Sequence, residues 1–156
     1  MTDDTLSNLF HAQAKLILSK HNVQGAEWSP DSDPDNCWLF IPKSHADGFD
    51  IIVSVSRSTI NFSTPGVSWC AYDSEQKNIL KRASEMLSDM LSGKVFVSVR
   101  TTRGYWTYTE LMKIVAGIPE LIRGVGIPSH HTNGCSKNLF MNNYVEHFSP
   151  VQPLAH

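Results

Sequence analysis

The side chains best suited to covalent chemistry are Cys135 and the adjacent pair His130-His131, which share a glycine-containing stretch near the C-terminus. A thiol becomes a nucleophile when a base sits within hydrogen-bond reach, and either imidazole is close enough in sequence to be that base. This grouping therefore supports a small cysteine-dependent hydrolase or transferase. The same residues, with His147 farther on, also supply zinc-ligand types. Neighbouring histidines diverge in extended chain, and no HExxH sequence exists, so no metal site is assigned. The other cysteines, Cys37 beside Trp38 and Cys70 between Trp69 and Ala71, read as small apolar residues of strands. No GxSxG elbow is present.

Phosphate-binding loops are absent. Gly124-Val125-Gly126 lacks the third glycine and preceding βαβ unit of a dinucleotide site, and there is no GxxxxGK[ST] run. Asp31, Asp33 and Asp35 have the spacing of half a calcium loop, but Pro34 interrupts it and the distal glutamate is missing. No cofactor is expected. The same three aspartates, with Glu27, make an acidic loop between residues 27 and 35 that could meet a basic partner. A different surface is offered by residues 94–108. There Arg100 and Phe96 could share an exposed face with Trp106 and Tyr108, placing stacking rings beside cations as a single-stranded nucleic-acid binder needs. A hairpin whose aromatics pack across strands accounts for the same pattern.

Composition narrows the classes. The chain has 156 residues, with 41% hydrophobic and 18% charged, enough to bury a core without disulfides. Its net charge is −2. Residues 1–50 hold eight acids and three lysines, a balance of −5, whereas the remainder holds seven acids and ten bases, a balance of +3. That overall balance makes nucleic acid an improbable partner, because phosphate neutralisation supplies most of such affinity. No apolar run approaches a membrane span, and the Met1-Thr2-Asp3-Asp4 start lacks a secretory signal's basic and apolar regions. With three cysteines and no CxxC pair, a reducing, cytoplasmic setting is expected.

The elements that must position these groups are legible in the hydrophobic spacing. Leu6, Leu9, Phe10, Leu16 and Ile17 predict a helix over 4–21, with Asp3 or Asp4 as cap and Gly25 after its end. Strands are predicted over 37–41, 49–56, 59–62 and 67–72, joined too tightly for crossovers and hence antiparallel. Ile79, Leu80, Ala83, Met86, Leu87, Met90 and Leu91 make one stripe of a helix over 74–92, stopped by Gly93. Val95, Val97 and Val99 begin a hairpin that turns at Arg103-Gly104. Residues 109–116 fit a short helix or a continued strand. The stretch 117–136 carries so many glycines and prolines that an irregular tail is expected, loose at its end.

The predicted architecture is a single α+β domain over 1–156. An antiparallel sheet of about five strands packs against the long central helix and the N-terminal helix. Leu6, Phe10, Ile17, Ile51, Val53, Val55, Ile79, Ala83, Met86, Leu87, Met90, Val95, Val97 and Val99 form its core. Alternation assigns Trp38, Phe40, Phe62, Trp69, Trp106 and Tyr108 to the opposite sheet face, where together they would make a partner surface.

Over residues 49–112 the chain resembles small uncharacterised bacterial α+β domains, among them immunity proteins of toxin systems. The resemblance rests on Val67-Ser68-Trp69-Cys70-Ala71-Tyr72-Asp73 before the helix and on Leu91-Ser92-Gly93-Lys94-Val95-Phe96-Val97 after it. It implies a cytoplasmic, non-enzymatic protein that binds and neutralises a cognate toxin without a cofactor. It carries over no catalytic residue. On this reading Asp31, Asp33, Asp35, Trp106 and Tyr108 are the partner-binding residues.

Overall fold

A computed structural model describes residues 5–29, 35–102, 105–126 and 135–141. The chain runs from helix α1 (Leu6–Lys20) through five strands: β1 (Glu27–Trp28), β2 (Cys37–Ile41), β3 (Ile51–Val55), β4 (Thr59–Thr64) and β5 (Val67–Tyr72). Helix α2 (Gln76–Leu91) follows, then β6 (Val95–Thr102), β7 (Tyr105–Val115), β8 (Ile118–Gly126) and β9 (Cys135–Leu139). The fold is α+β. Strands β1 to β5 form an antiparallel meander in chain order, and the later strands form a second antiparallel sheet ordered β8-β7-β6-β9. The first sheet meets the expectation of about five antiparallel strands, whereas the hairpin from Val95, expected in that same sheet, belongs to a second sheet of four strands.

Local chemistry explains the boundaries. Thr5, rather than Asp3 or Asp4, caps α1 by accepting a 3.2 Å bond from the Asn8 amide. The helix ends within the expected 4–21 range, and Asn22 takes the left-handed position after it: its φ is 53°, and the amides of Asn22 and Val23 bond back to Ser19 and Leu18. Asp73 fixes the entry to α2 by accepting from the Glu75 amide and the Asn78 side chain, contacts that hold its carboxyl below the usual range. Pro65-Gly66 joins β4 to β5 in two residues, and Gly66 at φ 81° supplies the left-handed position such a turn requires.

The two helices lie over one face of the first sheet, and α2 reaches on to β6. In α1 the buried residues are Leu6, Ser7, Phe10, Ala14 and Leu18, so Leu16, expected on the apolar stripe, is 68% exposed. In β3 Ile51, Val53 and Val55 are buried and Ile52 and Ser54 exposed, as alternation predicts. Of the predicted core, Ile17 and Val99 are only partly buried, while Leu39, Ile41, Ile60 and Phe62 join it. Removing a phenylalanine such as Phe10 or Phe62 from water contributes about 1.5–3 kcal/mol.

The tail departs most from expectation. Residues 109–115 continue strand β7, with Lys113 Nζ 3.1 Å from Asp89 of α2. Most of 117–126 is strand β8 and 135–139 is β9, not irregular chain. Pro119 fits because β8 is an edge strand, where a missing amide donor is tolerated. Gly124 lies beneath the Tyr108 phenol, which fills the space a side chain there would need.

Candidate interaction surface

The face of the first sheet turned away from the helices is open. Register defines its rows: Trp38, Ser54, Asn61 and Cys70 lie side by side across β2 to β5, and Phe40, Ile52, Ser63 and Ser68 form the next row. Glu27 of β1 extends the second row beside Phe40, and Thr59 with Tyr72 makes a third. Trp38, Ile52 and Tyr72 are exposed at 42%, 45% and 67%, and Phe40 is half-buried. The intervening residues are small hydroxyls, an amide and a thiol, so the rings stand above a low polar floor. Asn61 donates to Ser63 Oγ at 3.3 Å, and the hydroxyls of Ser56 and Thr59 bond at 2.8 Å. These bonds fix the floor.

At one end of this face lies an open depression of about 300 Å³, walled by Trp38, Ser54, Thr59 and Asn61. Beyond it Arg57 grips Asp35, with both Nε and an Nη on one carboxylate oxygen at 3.1 and 2.8 Å. The β1 end is held by paired bonds: Trp38 N donates to Ser29 Oγ at 3.0 Å, and Ser29 N donates to the Trp38 carbonyl at 3.0 Å. Cys37 also lines the depression; burial pushes its thiol up, opposed by a hydrogen bond with the Ser7 side chain. The face thus carries aromatic rings and small polar groups, with Glu27 as the charged side chain its strands present.

The aromatic face expected from alternation divides three ways. Trp38 and Phe40 lie on the open face. Phe62 and Trp69 instead point under the helices, edge to face at 5.6 Å, with the Arg82 guanidinium 5.8 Å from the Trp69 ring. They face inward because Phe62 pairs with Val53 and Trp69 pairs with Phe62, which continues the core row from Leu39. Tyr108 belongs to the second sheet. The backbone of Trp106 lies opposite Thr101 in β7, and its side chain lies outside the described residues. Asp35 sits at the rim of the depression, while Asp31 and Asp33 lie outside the described residues.

The second sheet's face away from the main core is also polar but closed. Arg100 and Ser98 are buried there, flanked in register by Tyr108, Glu110 and Asn138. Burial raises the Glu110 carboxyl above its usual range, opposed by the positive charge of Arg100. Asn138 Oδ1 is buried without a hydrogen-bond partner. Next to them Phe96 is fully buried and stacks on Phe140 at 4.9 Å. The exposed Arg100 and Phe96 face that single-strand binding would need is therefore not formed.

Cys135 opens β9 opposite Thr101, but its side chain and all of His130 and His131 lie outside the described residues. Among the described residues no group of three or more His, Cys, Asp or Glu could hold a metal ion. No described helix is long and apolar enough to cross a membrane. No protein-family model, curated protein or solved structure matches the chain.

Sequence reasoning missed Ile52 and Tyr72 as members of the surface. The signal was available for Ile52, which breaks the polar side of an otherwise clean alternation between Ile51 and Ser56.

Proposed function

We propose that this chain is a non-enzymatic protein-binding domain of the immunity type, which neutralises a basic toxin by covering it with the open face of the first sheet. One observation carries the reading: Trp38, Phe40, Ile52 and Tyr72 share a solvent-facing sheet surface on which the strands present no lysine or arginine. Interface centres are enriched in such aromatic residues and depleted of charge, and small hydroxyl and amide neighbours supply adaptable hydrogen bonds. Two-ring anchors of this kind lose little conformational entropy on docking. Glu27 and Asp35, with Asp31 and Asp33 in the same stretch of sequence, favour a basic partner and would steer its approach. The absence of cations from the strands disfavours phosphate-rich ligands.

The test is co-expression of the cognate basic protein, first identified by capture from the native host and then purified. Wild type should bind and inhibit it, with association slowed by salt. Trp38→Ala with Ile52→Asp should abolish binding while a cooperative urea transition shows that the variant still folds. Undiminished inhibition by that folded double variant would remove the sheet face from the proposal.

A further inference from the structure

Strand β8 ends its sheet: β5 of the first sheet comes near it, but among the described residues no strand other than β7 is hydrogen-bonded to it. It is nine residues long, and Ile118, Glu120, Leu121, Arg123 and Val125 along it are all exposed. An apolar edge of that length is normally shortened, covered or charged to prevent pairing with another chain. Here the charges are two, Glu120 and Arg123, and they are opposite in sign. Neither has an ion-pair partner among the described residues. Lys113, directly across from Glu120 in β7, is engaged by Asp89.

Their spacing has a geometric meaning. Pairing with β7 shifts register between Leu111 and Met112, which face Arg123 and Leu121 respectively, so Ile122 is an extra, bulged residue. The bulge reverses the alternation. Ile118 and Glu120 lie opposite Val115 and Lys113, while Arg123 and Val125 lie opposite Leu111 and Thr109. All four of those β7 positions are odd-numbered and share one face. Hence Ile118, Glu120, Arg123 and Val125 share one face of β8 despite mixed parity. An unbulged strand could not do this.

We infer that β8 pairs antiparallel with β8 of a second copy of this chain, about a two-fold axis between Leu121 and Ile122. In that register Ile118 meets Val125 of the other copy, Glu120 meets Arg123, and each contact occurs twice. Face-matched cross-strand neighbours have Cβ atoms about 4.5–5.5 Å apart, within reach of an ion pair. The two four-stranded sheets become one of eight strands, and both edges are satisfied. The contact is self-complementary, as a closed two-fold interface must be. Pro119 falls opposite Gly124 near the ends, where it removes one donor per copy without interrupting the centre. This surface lies on the second sheet and is separate from the open face of the first, so either assignment can fail without the other.

The test is sedimentation equilibrium of the full chain from about 1 µM to about 1 mM, combined with amide hydrogen exchange. Wild type should approach twice the chain mass with rising concentration, and amides of residues 118–125 should slow in parallel. Glu120→Arg and Arg123→Glu should each weaken association at least tenfold by setting like charges opposite. The double variant Glu120→Arg/Arg123→Glu should restore it. Circular dichroism and urea unfolding of each variant confirm that the monomer still folds. A chain that stays monomeric throughout, a dimer indifferent to the single reversals, or a double variant no tighter than the singles would each overturn the inference.

Discussion

Replacing Ala116 with asparagine tests the hairpin that presents β8. Val115 pairs with Ile118, leaving Ala116 and Gly117 as a two-residue loop, and both have positive φ, 52° and 79°. This is the mirror-image turn that matches strand twist, for which Asn-Gly is the preferred pair. Alanine in the left-handed region costs about 1–2 kcal/mol through its Cβ, whereas asparagine tolerates it. Asparagine should therefore stabilise the fold by about 0.5–1 kcal/mol, a Tm rise of roughly 2–4 °C per kcal/mol in a chain of this size. Ala116→Gly relieves the same strain but loosens the unfolded chain by about 0.4–1 kcal/mol, so its net effect is a smaller gain than the strain relief alone. Ala116→Val should destabilise, because branching aggravates the clash. The assay is urea unfolding at concentrations below any self-association, with midpoint compared at constant slope. The expected order is Asn and Gly above Ala, with Val last. Asparagine at or below alanine would refute a left-handed residue 116 and, with it, the two-residue connection that sets the β8 register.

Four further outcomes are expected. Burial raises the Glu110 carboxyl above its ordinary value, so the folded state holds that proton more tightly than the unfolded chain. Its contribution to stability therefore declines as pH climbs from the ordinary glutamate range to the raised folded value, and Glu110→Gln should remove that decline from the stability–pH curve. Phe96→Ala should cost about 3–5 kcal/mol in urea unfolding, since the ring is fully buried against Phe140. Asp35→Ala should change stability by less than about 1 kcal/mol, because Arg57 is largely exposed, yet slow association with a basic partner in stopped flow. Leu16→Lys should shift the thermal midpoint negligibly, with a free-energy change within about 0.5 kcal/mol, whereas Phe10→Ala should lower it strongly.

Periodicity by itself determined both helices, four of the meander's five strands and most of the core, whereas β1 (Glu27–Trp28) lay in what read as an acidic loop. Seven apolar residues on one stripe of α2 and the alternation of Ile51, Val53 and Val55 each favour one burial arrangement, because α2 turned over would bury charge and β3 turned over would bury Ser54 and expose three branched apolar residues. Glycine at 93 marked a helix end that its φ of 82° now accounts for. Asp35 was legible as part of an acidic segment, although its Arg57 partner lies 22 residues away and no local pattern announces it. What needed tertiary structure was the identity of each face. Phe62 and Trp69 look like companions of Trp38 until cross-strand register sets them beside Val53 and Leu39, under the helices. The same holds for residues 118–126, whose proline and glycines read as loop because local propensity is blind to an edge position beside β7 and to the Tyr108 ring above Gly124. Propensity is carried by neighbours along the chain, but sidedness in a sheet is carried by neighbours across it, and only folding supplies those.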